Sequence, residues 1–357
     1  MFRSLSIAIN NDPSSGSAGG GIHFSEILAL ELEKRGHRIH RRLVDGLDLI
    51  LIASFRWGST YATFTVDEVE DYRLRQPNTV CVLRVNDSDE ARLTRQIDIA
   101  GAARHAQRLC DHTVFISTYL QELYLGTHFA PDSPSCVIRN VADASLYNAG
   151  GCAVWPGHGP MKLVTHHFSP AFTKGFDFYE RLDLLLDRQV WQERFDFTVI
   201  GALPYGFKLR NARHVPMLVQ SEIPTALKQH HAYVTGARGE AAGMHAIEAI
   251  QCGLPIVYLR SGAVPEYCQG YGISFDAADF EECLLSLLEN YPSLKRGWKP
   301  PSFGSEEMAE AYENLFCRLV AARQANPINP PSVGERLHYS LRRRFRRLYR
   351  VWHCLKA

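Results

Sequence analysis

The amino-acid sequence predicts an α/β protein built from two doubly wound units. Three observations lead there. Apolar runs and amphipathic stretches alternate along the chain, break once at a segment dense in Gly and Pro, and then resume the same alternation. The apolar runs are continuous rather than alternating, which suits parallel strands covered on both faces. A chain of 357 residues, 46% hydrophobic and 22% charged, is long enough for two ordinary globular cores.

The elements follow in order. LSIAIN (5–10) is a strand, and the Gly/Ser-rich DPSSGSAGGG follows it. IHFSEILALELEKRGHRI places Ile22, Ile27, Leu28 and Leu32 on one helical stripe and closes with Gly36. LDLILIAS (47–54), TVCVLRVN (79–86), HTVFIS (112–117) and the short CVIRN (136–140) are strands. AGGCAVWPGHGP (149–160) reads as the linker between units. Then MKLVTHH (161–167) is a strand, FDFYERLDLLL (176–186) a helix and FDFTVIG (195–201) a strand. ALKQHHAYVTG (226–236) is a helix end plus a strand, AIEAIQCG (246–253) a helix, and LPIVYLR (254–260) and GISFD (272–276) strands. Phe280–Tyr291 and Glu306–Arg323 are amphipathic helices, and NPINPPS (326–332) detaches the C-terminal tail. The expected organisation is 1–150, a linker at 151–160, 161–325, and a tail at 326–357.

Composition narrows the function. A formal charge of +1 argues against a nucleic-acid binder driven by bulk charge. The nine cysteines show no C-x-x-C spacing, which fits reduced thiols and gives no zinc framework. The apolar run at the N-terminus is too short for a signal peptide, and no stretch approaches a membrane span, so the expected location is the cytoplasm. The tail breaks the neutral average. From Arg336 onward it holds eight Lys or Arg and no acid, with Leu341, Phe345, Leu348 and Trp352 at three- or four-residue steps. That pattern suits a helix lying on an anionic membrane surface, with an RNA-contacting tail, a protein or polymer partner, or a frayed end as alternatives.

Two loops and one helix start hold the candidate chemistry. SGSAGGG (15–21) fails as a dinucleotide fingerprint, because Ala18 stands at the second glycine position. Gly19, Gly20 and Gly21 still let a ligand approach backbone at a helix N-terminus. In THHFSPAFTKGFDFYERLD (165–183), Lys174 can offer charge to a diphosphate and Gly175 frees the backbone beside it, although a solvated lysine is the commoner case. Of His166 and His167, one should face the cleft and one the packing. In GEAAGMHAIEAIQCGLP (239–255), Gly243 and Met244 present amides at a helix start, while Glu240 and Glu248 are acceptors suited to a diol. SGAVPEY (261–267) makes another turn at a strand's carboxyl end.

With these motifs in this order, over roughly residues 1–325, the chain resembles the retaining GT-B glycosyltransferases of family 4. It is most similar to a bacterial subgroup with an HH-x-S…KGFD motif. GGG with LALELEKRGH (19–37), RVND (84–87), DHTVFIST (111–118), VIRNVADASLYN (137–148) and the two glutamates with seven residues between them carry the resemblance. It implies that Lys174 contacts a donor diphosphate, Glu248 the ribose, and Glu240 the transferred sugar near the Gly243 and Met244 amides. It implies further that Gly19 and Gly20 line the phosphate side, and that Asp87, with Asn86, stands near the acceptor or reaction centre. The implied donor is a UDP- or GDP-sugar and the acceptor a glycan or lipid-linked molecule. No essential metal or other cofactor is expected. One departure stands out: Phe168 occupies the position of a second, arginine clamp, for which Arg84, Arg260 or a histidine would have to compensate. A catalytically weak sugar- or membrane-binding adaptor on the same fold is the alternative reading.

Overall fold

The computed structural model describes residues 3–11, 20–91, 98–301, 304–329 and 332. Gly19 and the basic stretch from Arg336 lie outside the described residues. Two six-stranded sheets, parallel at every pairing, carry the chain. The first holds β1 (Ser6–Ile9), β2 (Arg38–His40), β3 (Leu49–Ile52), β4 (Val80–Val85), β5 (His112–Phe115) and β6 (Ser135–Val137), in the order β2-β1-β3-β4-β5-β6. Its helices are α1 (Gly20–Lys34), α2 (Val66–Arg75), α3 (Ile99–Gln107) and α4 (Thr118–Tyr124). The continuous apolar runs are the reason for parallel pairing: β1, β3 and β4 are buried at every position.

The second sheet holds β7 (Met161–His167), β8 (Phe195–Gly201), β9 (Arg213–Val215), β10 (Ala232–Thr235), β11 (Ile256–Leu259) and β12 (Gly272–Phe275), in the order β12-β11-β10-β7-β8-β9. Its helices are α5 (Phe176–Leu185), α6 (Gln189–Gln192), α7 (Ile223–Lys228), α8 (Met244–Gln251), α9 (Val264–Cys268) and α10 (Phe280–Gly297). The strand order reverses between β7 and β10. The connections leaving these two neighbours therefore run in opposite directions across the sheet and open a crevice at their carboxyl ends. The first sheet has the same fork between β1 and β3.

Several short elements depart from the expectation. The first helix closes at Gly36 in the left-handed region, as expected, and the RI that follows it belongs to a short added strand, β2. β9 and the helices α2, α3, α4, α6 and α9 come in addition to the expected elements. α10 continues past Pro292 to Gly297, where the expected helix ends at Tyr291; buried Leu284, Leu287 and Tyr291 hold it on the sheet.

The larger correction concerns α11 (Ser305–Ala325), expected to belong to the second unit. Met308, Tyr312, Leu315, Phe316 and Val320 instead pack with Phe24, Leu28 and Leu32 of α1 on the first sheet. Glu313 fixes that docking, with Oε2 accepting from Arg35 Nη1 at 3.0 Å and Oε1 3.0 Å from His37 Nε2. The chain beyond stays there, since Asn78 and Ile328 exchange hydrogen bonds of 2.7 and 3.2 Å. Ile328 is thus held on the first unit, beside the turn that precedes β4. The apolar stripe of α11 matched that of α1, and sequence periodicity does not say which sheet a stripe covers.

Phe316 is fully buried and packs on Tyr312 with ring centroids 5.6 Å apart. Phe316→Ala is expected to destabilise the protein by about 3–5 kcal/mol in urea unfolding. A loss under about 1 kcal/mol would show that α11 does not close the first core.

Candidate active site

The site forms at the fork between β7 and β10. After β7 the chain makes a 3-10 turn, Phe172–Lys174, and enters α5 through Gly175 at φ 95°. A Cβ on Gly175 would lie 2.5 Å from the carbonyl carbon of Gly236, which follows β10. Only glycine fits, on both conformation and space. The two connections are stitched further by the Arg238 amide on the Thr173 carbonyl at 2.8 Å. Lys174 and Glu240, far apart in sequence, consequently meet as an ion pair, both only partly exposed.

Glu240 is held from the other side by the SGAVPEY turn. The Ala263 amide donates to its carbonyl at 2.8 Å, and Gly262 lies so close that a Cβ would be 2.6 Å from the Glu240 nitrogen. Gly243 then takes φ 72° as the cap of α8 with no side chain capping the helix. Its first amides are left for an anion or hydroxyl acceptor. Met244 opens α8, and its Sδ accepts from Asn140 Nδ2 at 3.6 Å, a contact across the two sheets.

Glu248, on the second turn of α8, is 9% exposed, and its Oε2 lies 2.8 Å from His166 Nε2. A buried carboxylate needs such a partner. His166 Nδ1 is buried without a partner. Glu248 lines a 490 Å³ cavity between the sheets, together with Met244, Tyr147, Asp143, Arg41 and Glu26. The Tyr147 hydroxyl there is buried and unpartnered. The two histidines divide as their alternation requires. His166 turns to Glu248. His167 turns to packing, where its Nε2 is 2.6 Å from the Tyr179 hydroxyl, which donates to the Lys174 carbonyl at 2.8 Å. Burial pushes the imidazoles of His167 and His245 well below the ordinary histidine range, and the charge of Lys174 adds to the effect in both.

The remaining candidates lie elsewhere. Gly20 begins α1. Asn86 and Asp87 follow β4 on the first sheet, with Asp87 Oδ2 3.2 Å from Arg56 Nη1 and Oδ1 accepting from the Ser88 amide at 3.0 Å. Of the arginines expected to compensate for Phe168, neither reaches Lys174. Arg260 is engaged by Asp276 and Ser274 beside β12. Arg84 is fully buried, stacked 3.6 Å from the centre of the Phe24 ring, with Nη2 on Asn140 Oδ1 at 2.6 Å. Burial lowers its pKa. The arginine that does reach the fork is Arg238, paired with Asp177 at 2.8 and 2.6 Å. It comes from the other side of the fork, so a search just before Lys174 misses it. His245, Tyr179 and Tyr147 were missed too, because as buried residues they read as core. Among the described residues, no group of three or more His, Cys, Asp or Glu could hold a metal ion. Nor is any helix of the described residues long and apolar enough to cross a membrane.

Comparison with known proteins gives this arrangement a context. Residues 172–290, which build most of the site, match the model of the family described as glycosyl transferases group 1. No curated protein matches the chain. Solved structures do. Sucrose-phosphate synthase (tll1590) from Thermosynechococcus elongatus superposes with a TM-score of 0.64 at 15% identity, covering 90% of this chain and 100% of that one. Anabaena Alr3699/HepE, in complex with UDP and glucose, gives 0.57 at 12% identity, covering 91% and 100%. AviGT4, a glycosyltransferase involved in avilamycin A biosynthesis, gives 0.53 at 14%, covering 89% and 98%. At these identities the likeness shows the fold. The chain has the GT-B glycosyltransferase fold, and its residues 172–290 match the glycosyl transferases group 1 model.

Proposed function

We propose that the chain is a glycosyltransferase that moves a hexose from a UDP- or GDP-sugar to a glycan or lipid-linked acceptor with retention of anomeric configuration. The observation that carries this reading is the convergence at one fork of Lys174, Glu240, the uncapped start of α8 and Glu248. In this reading, Lys174 and the Gly243 and Met244 amides face the donor diphosphate, with Gly175 giving the backbone room. Glu240 accepts hydrogen bonds from the transferred sugar and Glu248 from the ribose, held in place by His166. Gly20, at the start of α1, lines the phosphate side from the first sheet, and Asp87 and Asn86 face the acceptor. His167 acts at one remove, through Tyr179 and the Lys174 backbone.

The chemistry follows from where charge develops. The acceptor hydroxyl bonds to the anomeric carbon as the bond to the diphosphate oxygen breaks. The electron pair leaves with the diphosphate, where Lys174 and the helix amides offset it. The acceptor proton passes to the departing phosphate oxygen on the same face, so configuration is retained without a protein nucleophile. The proposal assigns no metal or other cofactor; the nucleotide sugar is a substrate. It places the protein in the cytoplasm, in cell-surface polysaccharide assembly, with the basic tail on an anionic membrane.

Incubation with UDP-, GDP- and ADP-sugars, reading nucleotide release, tests the reading. Lys174→Ala and Glu240→Ala are expected to lower turnover by about 10²–10³ with folding intact. Glu248→Ala should chiefly raise the donor KM. Binding of no nucleotide sugar would sink the proposal, and binding without transfer to any acceptor would favour the adaptor.

The buried histidines give a pH dependence. The folded pKa values of His167 and His245 lie below the unfolded value of 6.5. The unfolded chain therefore binds more protons below that pH, and stability, complete above it, falls as the pH drops. The limiting slope is about 1.4 kcal/mol per pH unit for each histidine. Urea unfolding between neutral pH and mild acid should show the loss, and His245→Gln should make it shallower. An unchanged slope in the variant would mean that His245 does not contribute.

A further inference from the structure

Tyr147 is 1% exposed, and its hydroxyl is buried with no hydrogen-bond partner. Such a group has lost its water and gained nothing in exchange, so it calls for a ligand or an ordered water. Tyr147 lines the cavity between the sheets, and so do Glu248, Met244 and Gln220. The ring is fixed from both units. The Tyr147 amide donates to the Asp143 carbonyl at 2.8 Å, in a turn where Asp143 Oδ1 accepts from the Ser145 amide at 2.9 Å. The next residue, Asn148, accepts from Lys228 of the second unit at 3.0 Å. The ring itself belongs to the apolar cluster that holds Ile247 and Ile250 of α8. Its hydroxyl cannot reach solvent without leaving that core.

The chemistry of the two polar groups on this cavity is complementary. Burial pushes the Tyr147 phenol pKa up, the Glu248 charge adds to the effect, and Gln220 opposes it. The phenol therefore keeps its proton and faces a ligand as a donor. Glu248 is an acceptor only, with Oε2 2.8 Å from His166 Nε2. A phenol and a carboxylate within reach of each other would pair directly, as a charge-assisted hydrogen bond. These two share a cavity and do not pair. A group that gives one hydrogen and accepts another satisfies both. A hydroxyl does this, giving its hydrogen to the carboxylate and accepting from the phenol, whereas an ionised phosphate has no hydrogen to give.

We propose that Tyr147 is a further donor-binding residue, whose hydroxyl donates to the same ribose hydroxyl that gives its hydrogen to Glu248. The inference rests on the donor reading above, in which Glu248 meets the ribose. It adds a contact from the segment that joins the two units, so that the ribose is bound by α8 and by the chain that follows β6.

The test is calorimetric titration of the full chain with UDP, GDP and the 2′-deoxy and 3′-deoxy forms of each. Tyr147→Phe, which keeps the ring, is expected to bind whichever of UDP and GDP the parent prefers about tenfold more weakly. One of the two deoxy forms should bind the parent about tenfold more weakly as well, and the variant no more weakly than the parent. Thermal unfolding of the free variant should fall at or above the parent's, because an unsatisfied hydroxyl has been removed. Equal affinity of parent and variant for the intact nucleotide would overturn the proposal and leave the hydroxyl to a buried water. A loss that persists with both deoxy forms would overturn it too, since the phenol would then act on another part of the ligand. So would a lower unfolding temperature of the free variant, the mark of a structural partner. In these three cases the nucleotide still binds and the donor reading stands. Binding of neither nucleotide by the parent would remove both.

Discussion

The constraint on which the candidate site depends is the contact of Gly175 with Gly236. These residues leave β7 and β10, neighbours whose connections diverge, and the backbones touch where any side chain would collide. Phe178 seals the contact from α5, leaving Gly236 no more room than Gly175. Had either position carried a Cβ, the loops would have to move apart. Lys174 and Glu240 could then not pair. The fork of the sheet makes a crevice, and the two glycines set its floor so that a cation and a carboxylate face the same small volume.

Charge at that fork is arranged with few formal ions. Glu248 is buried and its partner is the imidazole of His166. His167 and His245 are kept neutral by burial and by the nearby lysine. Lys174 therefore stands out as the positive charge of the pocket rather than one of a cluster. Its backbone carbonyl is held by the Tyr179 hydroxyl and its ammonium by the Glu240 carboxylate. Arg238 is the nearest further cation, held by Asp177 at the mouth.

The two sheets are tied by more than the linker. Glu266, in the turn that braces Glu240, accepts from the Thr118 amide at 2.8 Å and from Arg139 Nε at 3.1 Å, both on the first unit. The Asn140 amide donates to the hydroxyl of Tyr267 at 2.9 Å, while the Asn140 side chain joins buried Arg84 to Met244. One short turn thus positions a candidate ligand residue and grips the facing sheet. A shift of the first unit would be felt at Glu240 and at the start of α8. The guanidinium of Arg84, costly to bury, is placed where it holds this junction rather than where a diphosphate clamp would stand.

How much of this was legible follows from the range of each signal. Strands such as MKLVTHH and FDFTVIG announce themselves through continuous apolar runs, and β7 and β8 span those residues. Lys174, Glu240, Gly243 and Glu248 were legible because each stands at a strand's end or a helix's start, a local property. That Lys174 touches Glu240 was not, since it depends on β7 lying beside β10, a fact of strand order. The same holds for α11, whose stripe could have covered either sheet. His166 and His167 could be assigned opposite faces by alternation, but which one met Glu248 depended on where α8 docks. Arg84 was legible as a cation and not as a buried one, because a residue near a strand's end reads the same whether helices close over it or leave it open. What sequence withholds here is the neighbour across the fold, and it is the neighbour that converts a plausible lysine and two plausible glutamates into one site.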